Sequence, residues 1–219
     1  LMHGFEGYKP KDFALGLRPP GFYWKAIDLD DCLIAPEETE TILSITKDYA
    51  LENNLSPHDT RSNKGYLRHL MLRKGYKNDE IMINIVTNED KPEKLEELAT
   101  RLDEQVPNAC SILNSFTKNV GGTTEAEKIH ILKGRKHIYE NIGEYKFKIS
   151  PNSFFQTNSL TAEILYDTIK DFADLNSDEI IWDLYCGTGS ISIYLANEVK
   201  KVIGFEVVEE AIENARENA

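Results

Sequence analysis

The chain has 219 residues, of which 41% are hydrophobic, 28% charged and 10% aromatic. This ordinary globular composition excludes collagen-like, low-complexity and wholly disordered chains. Asp and Glu number 37 against 25 Lys and Arg, a net charge of −12, which argues against a generally sticky nucleic-acid binder and leaves room only for a local basic face. No apolar run approaches the roughly 18–20 residues of a membrane span. Cys32, Cys110 and Cys186 are far apart in sequence, so no disulfide framework is expected and a reducing, cytoplasmic compartment is.

Leu1 precedes Met2, which reads either as a chain cut from a longer protein or as a junction with another segment. Phe13–Leu33 reads as extended chain around a turn at Pro19-Pro20-Gly21. A helix is predicted over Pro36–Asn54, with Glu37 and Glu38 at its positive end and Ile42, Ile45 and Tyr49 on one face. Tyr66–Arg73 and Glu80–Thr87 flank the turn Lys74–Asp79, and the alternation of Ile81, Ile83 and Ile85 marks a hairpin. A second helix over Pro92–Val106 carries the stripe Leu95, Leu98, Ala99, Leu102 and Val106. Short strands are predicted at Ala109–Ser115, Lys128–Leu132 and Tyr145–Ile149. Together these elements describe a mainly antiparallel α+β domain over residues 1–148.

From residue 149 the pattern changes. Thr161–Asp174 is amphipathic, with Ile164, Leu165, Ile169 and Phe172 as its expected buried side. A nearly continuous apolar strand follows at Glu179–Tyr185, then a glycine turn, the helix Ser190–Asn197, the strand Lys201–Glu206 and a helix from Val208. This β-α-β-α order belongs to a doubly wound, parallel α/β sheet. Two parallel strands cannot bury both faces or protect their edges. The expectation is therefore the first part of a Rossmann-like domain over 149–219, truncated at Ala219; the alternative is that Val208–Ala219 is a natural C-terminal helix.

The most informative stretch is Asp183-Leu184-Tyr185-Cys186-Gly187-Thr188-Gly189-Ser190. Here a buried strand ends in a turn whose glycines let a ligand approach the backbone, and a helix then offers free amide groups. Glu206 ends the second strand, where an acid accepts hydrogen bonds from a ribose. Ser192 replaces the third glycine of a dinucleotide fingerprint. Asp183 at the strand end disfavours a pyrophosphate and suits an amino-bearing, cationic ligand such as S-adenosylmethionine. The alternative is a turn whose glycines serve only tight strand–helix packing.

Three segments carry a resemblance to a known family. They are Ile149-Ser150-Pro151-Asn152-Ser153-Phe154-Phe155-Gln156-Thr157-Asn158 with the glycine turn that follows, Phe13–Leu17 leading to Asp28-Leu29-Asp30-Asp31-Cys32, and Gly65-Tyr66-Leu67-Arg68-His69. On these the chain resembles the S-adenosylmethionine-dependent RNA uracil-C5 methyltransferases. The resemblance implies a class I methyltransferase fold and places Gln156, Tyr185, Ser190 and Glu206 at cofactor contacts. Ser190 departs from members with asparagine there. Judged without the family, Gln156 is a polar residue ahead of a helix, and a capping role fits it better.

The resemblance also implies that Cys32 is the last of four ligands of an iron–sulfur cluster whose other three lie upstream; one thiolate cannot hold such a cluster, and the alternative is a buried thiol. Cys186 and Cys110 read as small packing residues. The basic stretch Arg61, Lys64, Arg68, His69, Arg73, Lys74 and Lys77, with Tyr66 and Tyr76 interleaved, offers either an RNA contact or a solvated hairpin face. His58, His130 and His137 have no ligand-like spacing.

The implied reaction is methyl transfer to carbon 5 of a uridine in rRNA or tRNA. A cysteine adds at carbon 6, carbon 5 attacks the sulfonium methyl, and a base removes the carbon-5 proton before the cysteine leaves. The resemblance places both protein groups beyond residue 219, so the 219-residue chain is expected to be inactive alone. The rival readings are a methyltransferase of the same fold acting on protein or a small molecule, and a non-catalytic RNA-binding module.

Overall fold

The computed structural model describes residues 2–4, 13–22, 24–119 and 126–219. Leu1, read with Met2 as a cut start, and Tyr23, inside the expected 13–33 extended stretch, lie outside the described residues. The chain divides into two compact units, 1–73 with 81–136 and 74–80 with 137–219. The sequence-based boundary at 148/149 falls inside the second unit.

In the first unit, β1 (Met2–Gly4) pairs antiparallel with β2 (Phe13–Leu17), which pairs antiparallel with β3 (Ile27–Asp28). The turn between β2 and β3 closes where Phe22 N–H donates to the Pro19 carbonyl at 3.1 Å. Helix α1 (Thr39–Glu52) buries Ile42, Ile45 and Tyr49, the face its spacing predicts. β4 (Leu67–Gly75) and β5 (Glu80–Thr87) are adjacent and joined by a four-residue turn, which restricts them to antiparallel pairing. After a short 3₁₀ turn at Pro92–Leu95 come α2 (Glu96–Gln105), β6 (Ser111–Phe116) and β7 (Lys128–Gly134).

The four-stranded sheet runs β4-β5-β6-β7. β5 and β6 are parallel, because the crossover between them contains α2; β6 and β7 are antiparallel. β5 is buried on both faces, with Ile81, Ile83 and Ile85 toward the helices and Met82 and Val86 opposite. All five residues of the predicted α2 stripe are buried.

The second unit opens its main segment with a strand absent from the sequence reading, β8 (Ile138–Ile142), paired antiparallel with β9 (Tyr145–Ile149). Glu140 hid it, because this carboxylate sits in the inward phase between Ile138 and Ile142. It is satisfied by the N–H groups of Tyr76 (2.7 Å), Lys77 (3.1 Å) and Asn141 (2.8 Å) and the Ser159 hydroxyl (2.8 Å). These bonds explain why segment 74–80 belongs with this unit. The β8–β9 hairpin belongs here as well, because β8 packs against α3 (Ser159–Ala173) and β9 against α5 (Glu209–Asn218).

α3 corrects one expectation. Ile164, Leu165 and Phe172 are exposed, whereas Ser159, Ala162 and Tyr166 are buried toward β8 and α4 (Ser190–Leu195). The stripe with the larger apolar side chains is the exposed one, and β8 and α4 pack on the face of Ser159, Ala162 and Tyr166. β10 (Ile180–Asp183) and β11 (Lys201–Gly204) then pair in parallel, Ile180 opposite Lys201 and Asp183 opposite Gly204, with α4 in the crossover. This is the predicted β-α-β-α order.

Candidate functional site

The glycine turn sits at the carboxyl end of β10. Phe205 N–H donates to the Asp183 carbonyl at 2.8 Å and Cys186 N–H to the Phe205 carbonyl at 3.1 Å, so the chain beyond β11 holds the turn's first half. Gly189 has φ +80 and donates its N–H to the Cys186 carbonyl at 2.8 Å. A Cβ there would be strained in this left-handed region and would sit 3.3 Å from the Ala215 methyl of α5. Gly204 answers a different need, since a Cβ on it would lie 2.8 Å from the Cys186 sulfur. Ser192, which stands where a dinucleotide fingerprint has glycine, donates its hydroxyl to the Asp183 carboxylate at 2.7 Å. One carboxylate oxygen of Asp183 thus has a protein partner.

Cys186 packs against Gly204, and burial, then the charges of Asp183 and Glu206, raise its pKa. It stays a protonated thiol and is poorly suited to nucleophilic attack. Glu206 lies just past β11. Its Oε1 accepts from Val207 N–H at 2.7 Å and Val208 N–H at 2.9 Å, and its Oε2 from Gly187 N–H at 3.1 Å. The N–H groups of Val208 and Val207, followed by that of Gly187, hold its pKa below the ordinary glutamate value. The carboxylate therefore ties the end of β11 to the glycine turn.

A cavity of about 710 Å³ is lined by Tyr185, Cys186 and Gly189 from the turn, by Phe205, Glu206 and Val207, and by Ile193 and Ala215 from the helices. Tyr185 and Val207 are 91% and 95% exposed although they line it. Two of the expected cofactor contacts, Tyr185 and Glu206, thus share one cavity. Ser190 and Gln156 do not line it. The Ser190 hydroxyl lies 2.8 Å from that of Tyr166. Gln156 is half-buried in the extended stretch before α3, whose N-cap is Asn158, accepting from Thr161 N–H at 3.0 Å. The capping alternative for Gln156 is therefore excluded.

The block around Ser150 is locked to α5 through residues that the sequence reading missed. Asn214, 4% exposed, accepts from the Ser150 hydroxyl at 2.9 Å and donates to the Ser153 hydroxyl at 2.9 Å. One turn later, Asn218 accepts from Lys148 N–H at 2.8 Å and donates to the Thr188 carbonyl at 3.2 Å, joining β9 to the glycine turn. The available signal was a pair of asparagines four residues apart in a helix, a residue type that helices disfavour unless its side chain is bonded.

The first unit treats the basic stretch differently from its sequence-based reading. Arg68 is 2% exposed and donates to the carbonyls of Thr117 (2.9 Å) and Asn119 (2.8 Å). Tyr66 and His69 are buried too, with the Tyr66 hydroxyl on the Lys91 carbonyl at 2.6 Å. Burial, and then the Arg68 charge, push the His58 pKa down to about 4, so it is neutral in the folded chain. Lys64 and Arg61 remain exposed, and the stretch divides between the two units at Arg73/Lys74. Cys32 is half-buried in the first unit. Among the described residues no group of three or more His, Cys, Asp or Glu could hold a metal ion, so these residues do not by themselves fit an iron–sulfur cluster.

A parallel β-α-β-α unit, with a glycine turn after its first strand and an acid after its second, is a Rossmann-like arrangement suited to a ribose-bearing ligand. The family model for tRNA (uracil-5-)-methyltransferases matches residues 75–219. The chain belongs to that family. It is 40% identical over 212 residues to an uncharacterized RNA methyltransferase of Chlorobaculum tepidum, covering 96% of this chain and 44% of that protein. It is 42% identical over 208 residues to one of Caldanaerobacter subterraneus, covering 94% and 46%. Among solved structures, the tRNA (uracil-54, C5)-methyltransferase of Pyrococcus abyssi, in complex with S-adenosyl-L-homocysteine, matches with a TM-score of 0.76 and 31% identity, over 93% of this chain and 48% of that one. The chain spans about half the length of the relatives it matches.

Proposed function

We propose that the chain is the cofactor-binding portion of an enzyme that moves a methyl group from S-adenosylmethionine to carbon 5 of a uridine in RNA, with tRNA favoured over rRNA by the family and by the Pyrococcus relative. The observation that carries the reading is the position of Glu206, anchored to the glycine turn and lining the same cavity as Tyr185. A carboxylate offers about four lone-pair positions. Three are filled by backbone N–H groups, so one ribose hydroxyl takes the fourth and the second replaces the Gly187 contact, the longest of the three. Tyr185 offers an exposed ring beside the bound nucleoside, and the family resemblance assigns further polar contacts to Ser190 and Gln156, which lie outside the cavity lining. The cofactor brings an electrophilic methyl. The protein holds it next to the glycine turn and leaves Cys186 protonated and unreactive. The nucleophilic cysteine and the base belong to the part of the family's sequence that follows residue 219, and the 219-residue chain alone does not complete the reaction. The first unit, with Lys64 exposed, is the accessory domain that meets RNA.

Titration calorimetry with S-adenosylhomocysteine tests this reading. Glu206→Ala should weaken binding roughly ten-fold by removing charge-assisted bonds. Because the folded-state pKa of Glu206 is depressed, its contribution is fully present above the ordinary glutamate pKa and is lost only as pH falls through the lowered value. The difference between parent and variant should therefore be constant between about pH 6 and 8. Equal affinities would remove Glu206 from the site.

A further inference from the structure

Tyr166 lies on α3, outside the glycine turn, and is 1% exposed. Its ring meets the Tyr194 ring edge-on at 5.4 Å, and the Tyr194 hydroxyl donates to Asp167 on α3 at 2.6 Å. The phenol is thus held from two sides, and it extends to Ser190, the first residue of α4, at 2.8 Å. Ser190 is the one hydrogen-bond partner that Tyr166 has among the described residues. Burial raises the pKa of Tyr166 further above its ordinary value of 10.0, so it keeps its proton.

Two hydroxyls that share one hydrogen bond have two protons between them, and one proton is left over. If Ser190 donated to Tyr166, the spare proton would sit on a buried phenol with no acceptor, which is costly. If Tyr166 donates, the spare proton sits on Ser190, which is only half-buried and directly follows Gly189. The second arrangement is the lower in free energy. We infer that Tyr166 is a positioning residue of the cofactor site: it occupies one lone pair of the Ser190 oxygen and leaves the Ser190 proton free to donate to a ligand acceptor. This rests on the reading of Ser190 as a cofactor contact. On that reading Ser190 donates to a carboxylate or ring-nitrogen acceptor of the cofactor.

The test is a double-mutant cycle in S-adenosylhomocysteine affinity, measured by calorimetry on the intact protein. Tyr166→Phe keeps the ring and removes the hydroxyl; it should weaken binding about three- to ten-fold, as should Ser190→Ala. The double variant should bind no more weakly than Ser190→Ala alone, because Tyr166 acts through Ser190. Ser190→Asn, which restores an N–H donor, should bind better than Ser190→Asp, which offers only acceptors. A purely structural role for Tyr166 would lower the denaturation midpoint without this coupling. Parent-like affinity in Tyr166→Phe, additive losses in the double variant, or Ser190→Asp binding as well as Ser190→Asn would each overturn the inference. Glu206→Ala separates the two levels. If it weakens binding while Tyr166→Phe does not, only the positioning role fails. If the parent protein binds no cofactor, the reading and the inference both fail.

Discussion

The basic stretch 61–77 and the turn 183–206 both carry residue types suited to binding, and the fold treats them in opposite ways. In the first, Tyr66, Arg68 and His69 turn inward, and Tyr66 and Arg68 donate to the chain's own carbonyls, leaving Lys64 and Arg61 outside. In the second, Tyr185 and Val207 stay almost fully exposed beside a cavity, and Glu206 retains a free lone pair. A run of charges in a sequence is evidence of chemistry only once burial is known, because a desolvated guanidinium has to find partners and becomes part of the scaffold. A glycine turn behaves otherwise. Its shape is set by neighbours in sequence, and its exposed groups are left for a ligand.

The sharpest way to break this contrast is Arg68→Ala. The substitution leaves the Thr117 and Asn119 carbonyls without their donor and opens a cavity where the largest of the fully buried side chains sat. It should cost about 3 kcal/mol of stability by urea denaturation. Unchanged stability with weakened RNA binding would instead return Arg68 to the surface. Asn214→Ala is the counterpart in the second unit. It leaves the Ser150 and Ser153 hydroxyls buried without their shared amide and should cost about 2 kcal/mol, with cofactor affinity falling as the turn loosens. Stability equal to the parent would show that the Ser150–Ser153 block holds its shape without α5. The smallest effect belongs to the residues left outside. Replacing Lys64 by alanine should leave stability unchanged and reduce the log–log salt dependence of RNA binding by about 1. An unaltered slope would make this lysine an ordinary solvated side chain.

What the sequence by itself determined were features whose causes lie within about one element's length. The α1 and α2 stripes, the β5 alternation and the β10-turn-α4-β11-α5 order follow from local periodicity and turn chemistry, and each stands in the structure where the spacing placed it. The glycine turn with Glu206 was legible for the same reason, since the acid comes two residues after the strand paired beside the one that opens the turn.

Tertiary structure alone decided matters that depend on partners distant in the chain. Glu140 interrupts the apolar phase of β8 and is tolerated only because Tyr76, Lys77 and Ser159 supply its hydrogen bonds. The buried face of α3 is chosen by β8 and α4 and not by its strongest stripe. Tyr166, Asn214 and Asn218 gain their roles by meeting Ser190, Ser150 and Thr188 across 24, 64 and 30 residues of sequence. Hydrogen bonds of that reach leave no periodic trace, because a single polar side chain at each end is enough to make them.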